Sequence, residues 1–171
     1  ANYPEPTLQV AMGSTVLATI SVDETAYDRH SYPVPTQQPE GTDTLMLTDG
    51  FGSTASANWH VEPIAIPDSG TFTVEFNYQA SGNRAADGIA LVFQQEGVEA
   101  VGGIGSDLGY VGIVGPTTAY QMNLYDYEGS HIPGTNFVTG NTSGSYNTTG
   151  DIQLTSGNEI RVTLVYDADA S

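Results

Sequence analysis

A chain interrupted this often by glycine and proline has little room for long helices. Twenty glycines and nine prolines are distributed along 171 residues, and each is costly inside a helix, proline most of all. No window between them holds a 3.6-residue apolar period. Period-two alternation is plain instead. In Thr71–Tyr78 the residues Phe72, Val74, Phe76 and Tyr78 face one way and Thr71, Thr73, Glu75 and Asn77 the other. Ile160–Tyr166 alternates likewise, and Gly88–Phe93 is apolar on both faces, as a central strand would be. Leu45–Leu47, Tyr110–Val114, Tyr120–Tyr127 and Ile152–Leu154 are further strand candidates. Turn clusters separate them at Asp49-Gly50, Pro67–Gly70, Ser81–Asn83 and Ser156–Asn158. Short strands at this spacing define an all-β, antiparallel sandwich or barrel.

The chain is long enough for one such domain, and its 39% hydrophobic content can fill a core. Only 13% of residues are charged, so Ser, Thr, Asn, Gln and Gly must supply most of the polar surface. Twenty acidic residues oppose three cations, Arg29, Arg84 and Arg161, for a formal net charge of −17. This balance excludes nucleic acid as a partner, because phosphates require a basic patch. It also opposes docking on anionic lipid. The acidity suits solubility in a salty or calcium-rich medium, and a single Ca²⁺ is the one cofactor it leaves open. Cysteine is absent, which removes disulfides, thiol catalysis and Cys-based zinc sites. No apolar run reaches membrane-spanning length. Ala1–Pro6 reads as a linker or processed end, as in a mature secreted chain.

Val22–Gly41, rich in Pro, Gln and charge, reads as a long surface excursion. Asn141–Gly150 reads as a Ser/Thr/Asn/Gly loop, and its N-x-[ST] triplets at Asn141 and Asn147 read as ordinary loop chemistry.

From Leu45 onward the order of segments resembles the L-type (legume) lectin superfamily, especially its bacterial lectin-like branch. Thr48-Asp49-Gly50 follows a strand and precedes a Ser/Ala-rich segment, and the Phe72–Phe76 strand comes next. Ala86-Asp87-Gly88-Ile89-Ala90-Leu91-Val92-Phe93 is similar to that family's ADG-plus-apolar-strand signature. Gly102-Gly103 and Leu108–Ile113 resemble its glycine-rich loop, and Tyr120–Tyr127 stands where its metal-ligand strand would be. Residues 45–171 carry the match and residues 1–44 carry little of it, within one domain spanning 1–171. The resemblance implies a two-sheet, concanavalin A-like jelly roll with sugar held in a shallow site at the loops. It implies Asp87 as the carboxylate acceptor and Gly102 or Gly103 as a main-chain N–H donor. Tyr127, His131 and Asn136 complete the implied carbohydrate-binding set. An Asp-Gly pair ahead of a strand is also common turn chemistry. The order of the surrounding segments is what marks Asp87 as a ligand contact.

The sequence departs from the family twice. The metal-ligand strand of that family reads Glu-x-Asp-x-Tyr, whereas this chain has Asn123-Leu124-Tyr125-Asp126-Tyr127, with an amide and a phenol replacing two carboxylates. The paired metal site is therefore expected to be absent or reduced. Asp126, Glu128 and His131 are what remains for a degenerate one. The second departure is the ending after Ile160–Tyr166, where the family continues with further strands. We expect those strands to come from a continuation of this chain or from a second chain, because a sandwich stopped there leaves an unpaired edge. Trp59 could stack on a sugar or pack in the core.

The resulting expectation is an extracellular or cell-surface domain that binds a glycan or polysaccharide without catalysis and without membrane insertion. The alternative is a structural or adhesive domain that keeps the fold without sugar binding. An enzyme is disfavoured. The Glu-x-Asp-x-Glu strand of related glycoside hydrolases is missing, and three scattered histidines (His30, His60, His131) support no triad.

Overall fold

The computed structural model describes residues 7–12, 15–21, 27–32, 47, 53–60, 63–80, 87–126 and 132–170, the first three segments by backbone course alone. The described strands are β1 (Thr7–Met12), β2 (Thr15–Ser21), β3 (Tyr27–Tyr32), β4 (Ala55–His60), β5 (Thr71–Tyr78), β6 (Gly88–Gln94), β7 (Thr117–Asn123), β8 (Gly134–Thr139) and β9 (Ile160–Asp167). They form antiparallel sheets in the orders β2-β1-β5-β9, β3-β4 and β6-β7-β8. Among the described residues helix is limited to two 3₁₀ turns, Gly105–Asp107 and Ala168–Ala170. The all-β, antiparallel expectation holds.

Alternating sequence produces alternating burial. Phe72, Val74 and Tyr78 of β5 and Val162 of β9 are buried, while Glu75 and Thr163 between them meet on the outer face, with Thr163 Oγ1 donating to Glu75 Oε1 at 3.1 Å. Arg161 joins that face at 2.7 Å from Glu75. Its hydrogen bond holds the Glu75 carboxyl below the ordinary carboxylate range, but a pair this exposed contributes little to stability. The inward residues of β5 and β9 pack on β6 and β7. Phe72 and Val74 meet Leu91 and Phe93, and Tyr78 and Val162 meet Ile89, Tyr120 and Met122, with Leu154 closing the cluster. Phe72 sits edge-on to Phe93 at 5.8 Å and lies 5.1 Å from Tyr166.

Several boundaries differ from the sequence reading. Tyr110–Val114 is turn rather than strand, because Gly109, Gly112 and Gly115 take φ values of 76°, 105° and 89°, conformations that extended chain does not adopt. Tyr110 and Ile113 are buried there all the same. Ile152–Leu154 lies in turns and contributes Leu154 to the core from a loop. The Tyr120–Tyr127 candidate begins earlier, at Thr117, and ends at Asn123. Leu47 lies outside any strand, while Leu45, Met46 and Asp49-Gly50 fall outside the described residues. The surface excursion at Val22–Gly41 contains β3, which pairs with β4 along its full length. Strand β8, Gly-Thr-Asn-Phe-Val-Thr, lacks apolar alternation and was hidden for that reason.

Two outcomes test this packing. Phe72→Ala removes a ring buried between two sheets and is expected to lower unfolding free energy by about 3 kcal/mol in urea titration. Tyr78 carries a buried hydroxyl with no hydrogen-bond partner, and burial pushes its ionisation up to about 12. An acid with a raised folded-state pKa favours the fold only while it is neutral, so stability should fall as pH rises from about 10 toward the folded value. Tyr78→Phe is expected to be neutral or stabilising at pH 7, since it removes an unpaired buried polar atom. The same variant should flatten the alkaline fall, and a steeper fall would overturn this account.

Candidate functional site

Strands β6, β7 and β8 run in register, so their side chains form cross-strand rows. On the face away from β5 and β9, Val92, Ala119 and Val138 make an apolar row. Ala90, Gln121 and Asn136 make the next row, and Gly88, Asn123 and Gly134 the last, at the end of the sheet. The loop from Glu99 to Ile113 covers the apolar part. Ala100, Tyr110, Ile113 and Ala119 form a buried cluster, with Trp59, Val92 and Val138 packed against it. Trp59 Nε1 donates to the Ala100 carbonyl at 2.7 Å, so this tryptophan ties β4 to the loop as a packing residue.

The polar row is held by a buried network. Gln121 is fully buried. Its amide donates to the Thr142 carbonyl at 2.8 Å and to the Tyr110 hydroxyl, which itself donates to Thr142. Burial pushes the Tyr110 hydroxyl up, the Gln121 bond opposes this, and the charges of Tyr146 and Asp107 add to the rise. Asn141 joins the same two loops. It accepts from the Gly112 N–H and donates to the Ile113 carbonyl, both at 2.7 Å. Asn141 is therefore a structural clamp, and neither it nor Gln121 carried a sequence signal beyond loop or strand composition.

The end row shows why glycine flanks Asn123. A Cβ at Gly88 would lie 2.2 Å from the Met122 carbonyl oxygen and 3.0 Å from the Leu108 side chain, and one at Gly134 would lie 2.2 Å from the Asn147 carbonyl oxygen. The 108 and 147 segments thus cross close over the sheet at the two places that lack side chains. Residues 135 and 147 exchange main-chain hydrogen bonds at 2.9 and 2.8 Å, fixing the second crossing. Asn123, between them, is buried. Its amide donates to the Tyr125 carbonyl at 2.7 Å and to the Ile132 carbonyl at 2.9 Å.

Asp87 immediately precedes this row, and its carbonyl accepts the Leu124 N–H at 2.9 Å. Its side chain is half-buried, and its carboxylate has no hydrogen bond or ion pair among the described residues. The carboxylate lies beside Gly105, where a Cβ would approach Oδ2 to 3.8 Å. Tyr146 is near as well. Burial raises its ionisation, a hydrogen bond with the Gly144 backbone opposes this, and the Asp87 charge raises it further.

The other expected site residues fare differently. Gly102 and Gly103 do lie in the loop beside Asp87, but their N–H groups are already used, donating to Gly109 at 2.7 Å and to Val111 at 2.8 Å. In this structure both N–H groups hold the loop frame. A Cβ at Gly102 would sit 2.4–2.7 Å from the Tyr110 main chain, and one at Gly103 would sit 2.2 Å from the Asp107 carboxylate. The N–H groups of Gly105 and Ser106, further round the loop, meet no acceptor among the described residues. Asn136 donates to the Gly144 carbonyl at 3.3 Å and accepts the Phe137 N–H at 2.9 Å, so it shapes the Asn141–Gly150 loop. Tyr127, Glu128 and His131 lie outside the described residues. Among the described residues no three His, Asp or Glu side chains gather as metal ligands. No protein-family model matches the chain.

The loop frame predicts an order of effects. Tyr110→Phe leaves the Thr142 carbonyl with its Gln121 donor and should cost about 1 kcal/mol. Gly102→Ala forces a Cβ into main chain and should cost more, about 2–3 kcal/mol. Urea midpoints of the two variants check this, and the reverse order would refute the frame.

Proposed function

We propose that this chain is a glycan-binding, non-catalytic domain of the L-type lectin kind, with the two-sheet jelly roll of concanavalin A-like proteins. The observation that carries the reading is the Asp87 carboxylate. It is half-buried where the segments around Gly105, Leu124 and Tyr146 converge, and it is left without a partner among the described residues. A partly desolvated carboxylate with free lone pairs suits a ligand rich in hydroxyl donors. Main-chain donors then come from Gly105 and Ser106 in place of Gly102 and Gly103. Asn136 and Tyr146 shape the far side, and the exposed Ile104 and Tyr125 supply apolar surface for sugar C–H faces. Tyr127 and His131, outside the described residues, stay in the proposed sugar-binding set on the resemblance alone. The domain acts outside the cell or on its surface, where polysaccharide is met.

A glycan array run with and without a calcium chelator tests the proposal. Asp87→Ala is expected to weaken binding of any sugar hit about ten- to a hundredfold, because sugar hydroxyls lose a charged acceptor. Undiminished binding by a folded Asp87→Ala protein would overturn the assignment.

One observation favours the second reading, a structural or adhesive domain that joins a larger assembly through added strands. Strand β9 pairs on one side only among the described residues and exposes Val165 (66%) and Tyr166 (39%). An array without hits, together with a concentration-dependent rise in mass by light scattering, would support that reading.

A further inference from the structure

We infer that Asn123 does by hydrogen bonding what a bound cation would otherwise do at this end of the sheet. Its amide ties the carbonyls of Tyr125 and Ile132 together and so positions Asp87 without metal.

The resemblance places a metal-ligating carboxylate where Asn123 stands, and the chemistry here is of the opposite sign. Two carbonyl oxygens, those of Tyr125 and Ile132, point at Nδ2 from 2.7 and 2.9 Å. Converging carbonyls need an electropositive centre between them. The two amide hydrogens provide it, and both are committed. A carboxylate in this position would bring a third and fourth oxygen against the first two. The residue is 4% exposed, so water screens little of either the attraction or that repulsion. Gly88 and Gly134 on either side leave no neighbouring side chain to take over the task.

The clamp reaches the candidate site through one residue. Leu124, next in sequence, donates its N–H to the Asp87 carbonyl. If the Tyr125 carbonyl is released from the Asn123 amide, the segment holding that N–H loosens, and with it the main chain that aims the Asp87 carboxylate. Asn123 is thus a positioning residue, not a ligand contact. The consequence for sugar binding rests on the reading of Asp87 given above, but the clamp itself can be measured without any sugar.

Hydrogen exchange followed by mass spectrometry of the whole chain, on a peptide spanning Leu124 to Ile132, decides the matter. In the native protein this peptide should show the same protection before and after chelator treatment. Asn123→Asp at pH 7 should exchange about tenfold faster or more, since two buried donors are lost and a charge is added. The β5 peptide, Thr71–Tyr78, should be unchanged. Near pH 4, about where an ordinary Asp side chain protonates, the acid regains one donor, so N123D should recover part of its protection whereas Asn123→Ala should not. The ionisable groups on the joined segments are Asp87, Tyr125, Asp126, Tyr127, Glu128, His131 and Tyr146, and native protein run at the same pH corrects for their titration. In a glycan assay, affinity should fall and recover with the same pH profile. Loss of protection in chelator-treated native protein would overturn the proposal, and that arm stands even if neither variant folds. Unchanged exchange in N123D would overturn it equally. Normal exchange effects combined with no sugar binding at all would leave the clamp intact and defeat only the function it serves.

Discussion

The sheet β6-β7-β8 is covered on both faces, most fully along β7, and the rest of the described structure is arranged around that fact. One face takes the alternating side chains of β5 and β9. The other has no second described sheet to receive it beyond the contact of Trp59 and is covered mainly by loop. Loop carries unpaired main-chain polar groups that a sheet would have satisfied internally, and over a buried face these must find partners locally. The hydrogen bonds of Gly102, Gly103 and Gly109 among themselves and with Val111 answer that need, as do the side-chain amides of Gln121, Asn123 and Asn141.

Side-chain amides suit this task because each offers donors and an acceptor on one rigid plane, matching the two kinds of group that irregular backbone leaves open. Asn141 uses both ends, toward Gly112 and Ile113. Gln121 uses only its donors, and its carbonyl oxygen is buried without a partner. That atom marks the polar row as a compromise. An apolar residue in its place would relieve the unpaired oxygen and would also leave the Thr142 carbonyl to the Tyr110 hydroxyl alone among the described donors.

The strands that bury one face against β5 or β9 were legible in the sequence, because a half-buried sheet writes its period into the residues: Phe72, Val74, Phe76 and Tyr78 are the clearest case. Where burial is shared with loop, the period fades. Strand β8 alternates glycine, asparagine and valine on its covered face, and no hydropathy pattern announces that. Tyr110 and Ile113 looked like strand because they are apolar, yet three glycines at positive φ turn the chain there. The Asp-Gly pair at 87–88 could be picked out by its neighbours in sequence. The unavailability of the Gly102 and Gly103 N–H groups could not, because it depends on which carbonyls a folded loop brings opposite them. Nor could the part played by Asn123 be read from its chemistry, since a missing carboxylate says what a position has lost and not what it has gained.

At Gly134 the crossing segment places main chain against the sheet, whereas at Gly88 it is the Leu108 side chain that closes down. Residues of the crossing segments whose side chains point outward, such as Ser106 and Asn147, are thereby uncoupled from the core. Such positions can drift through many amino acids without disturbing the scaffold, whereas a side chain at Gly134 would lift the loop above it and one at Gly88 would push the neighbouring strand aside. Under selection the domain would diversify at its rim and stay fixed at the floor, much as a lock maker recuts the key while keeping the same cylinder.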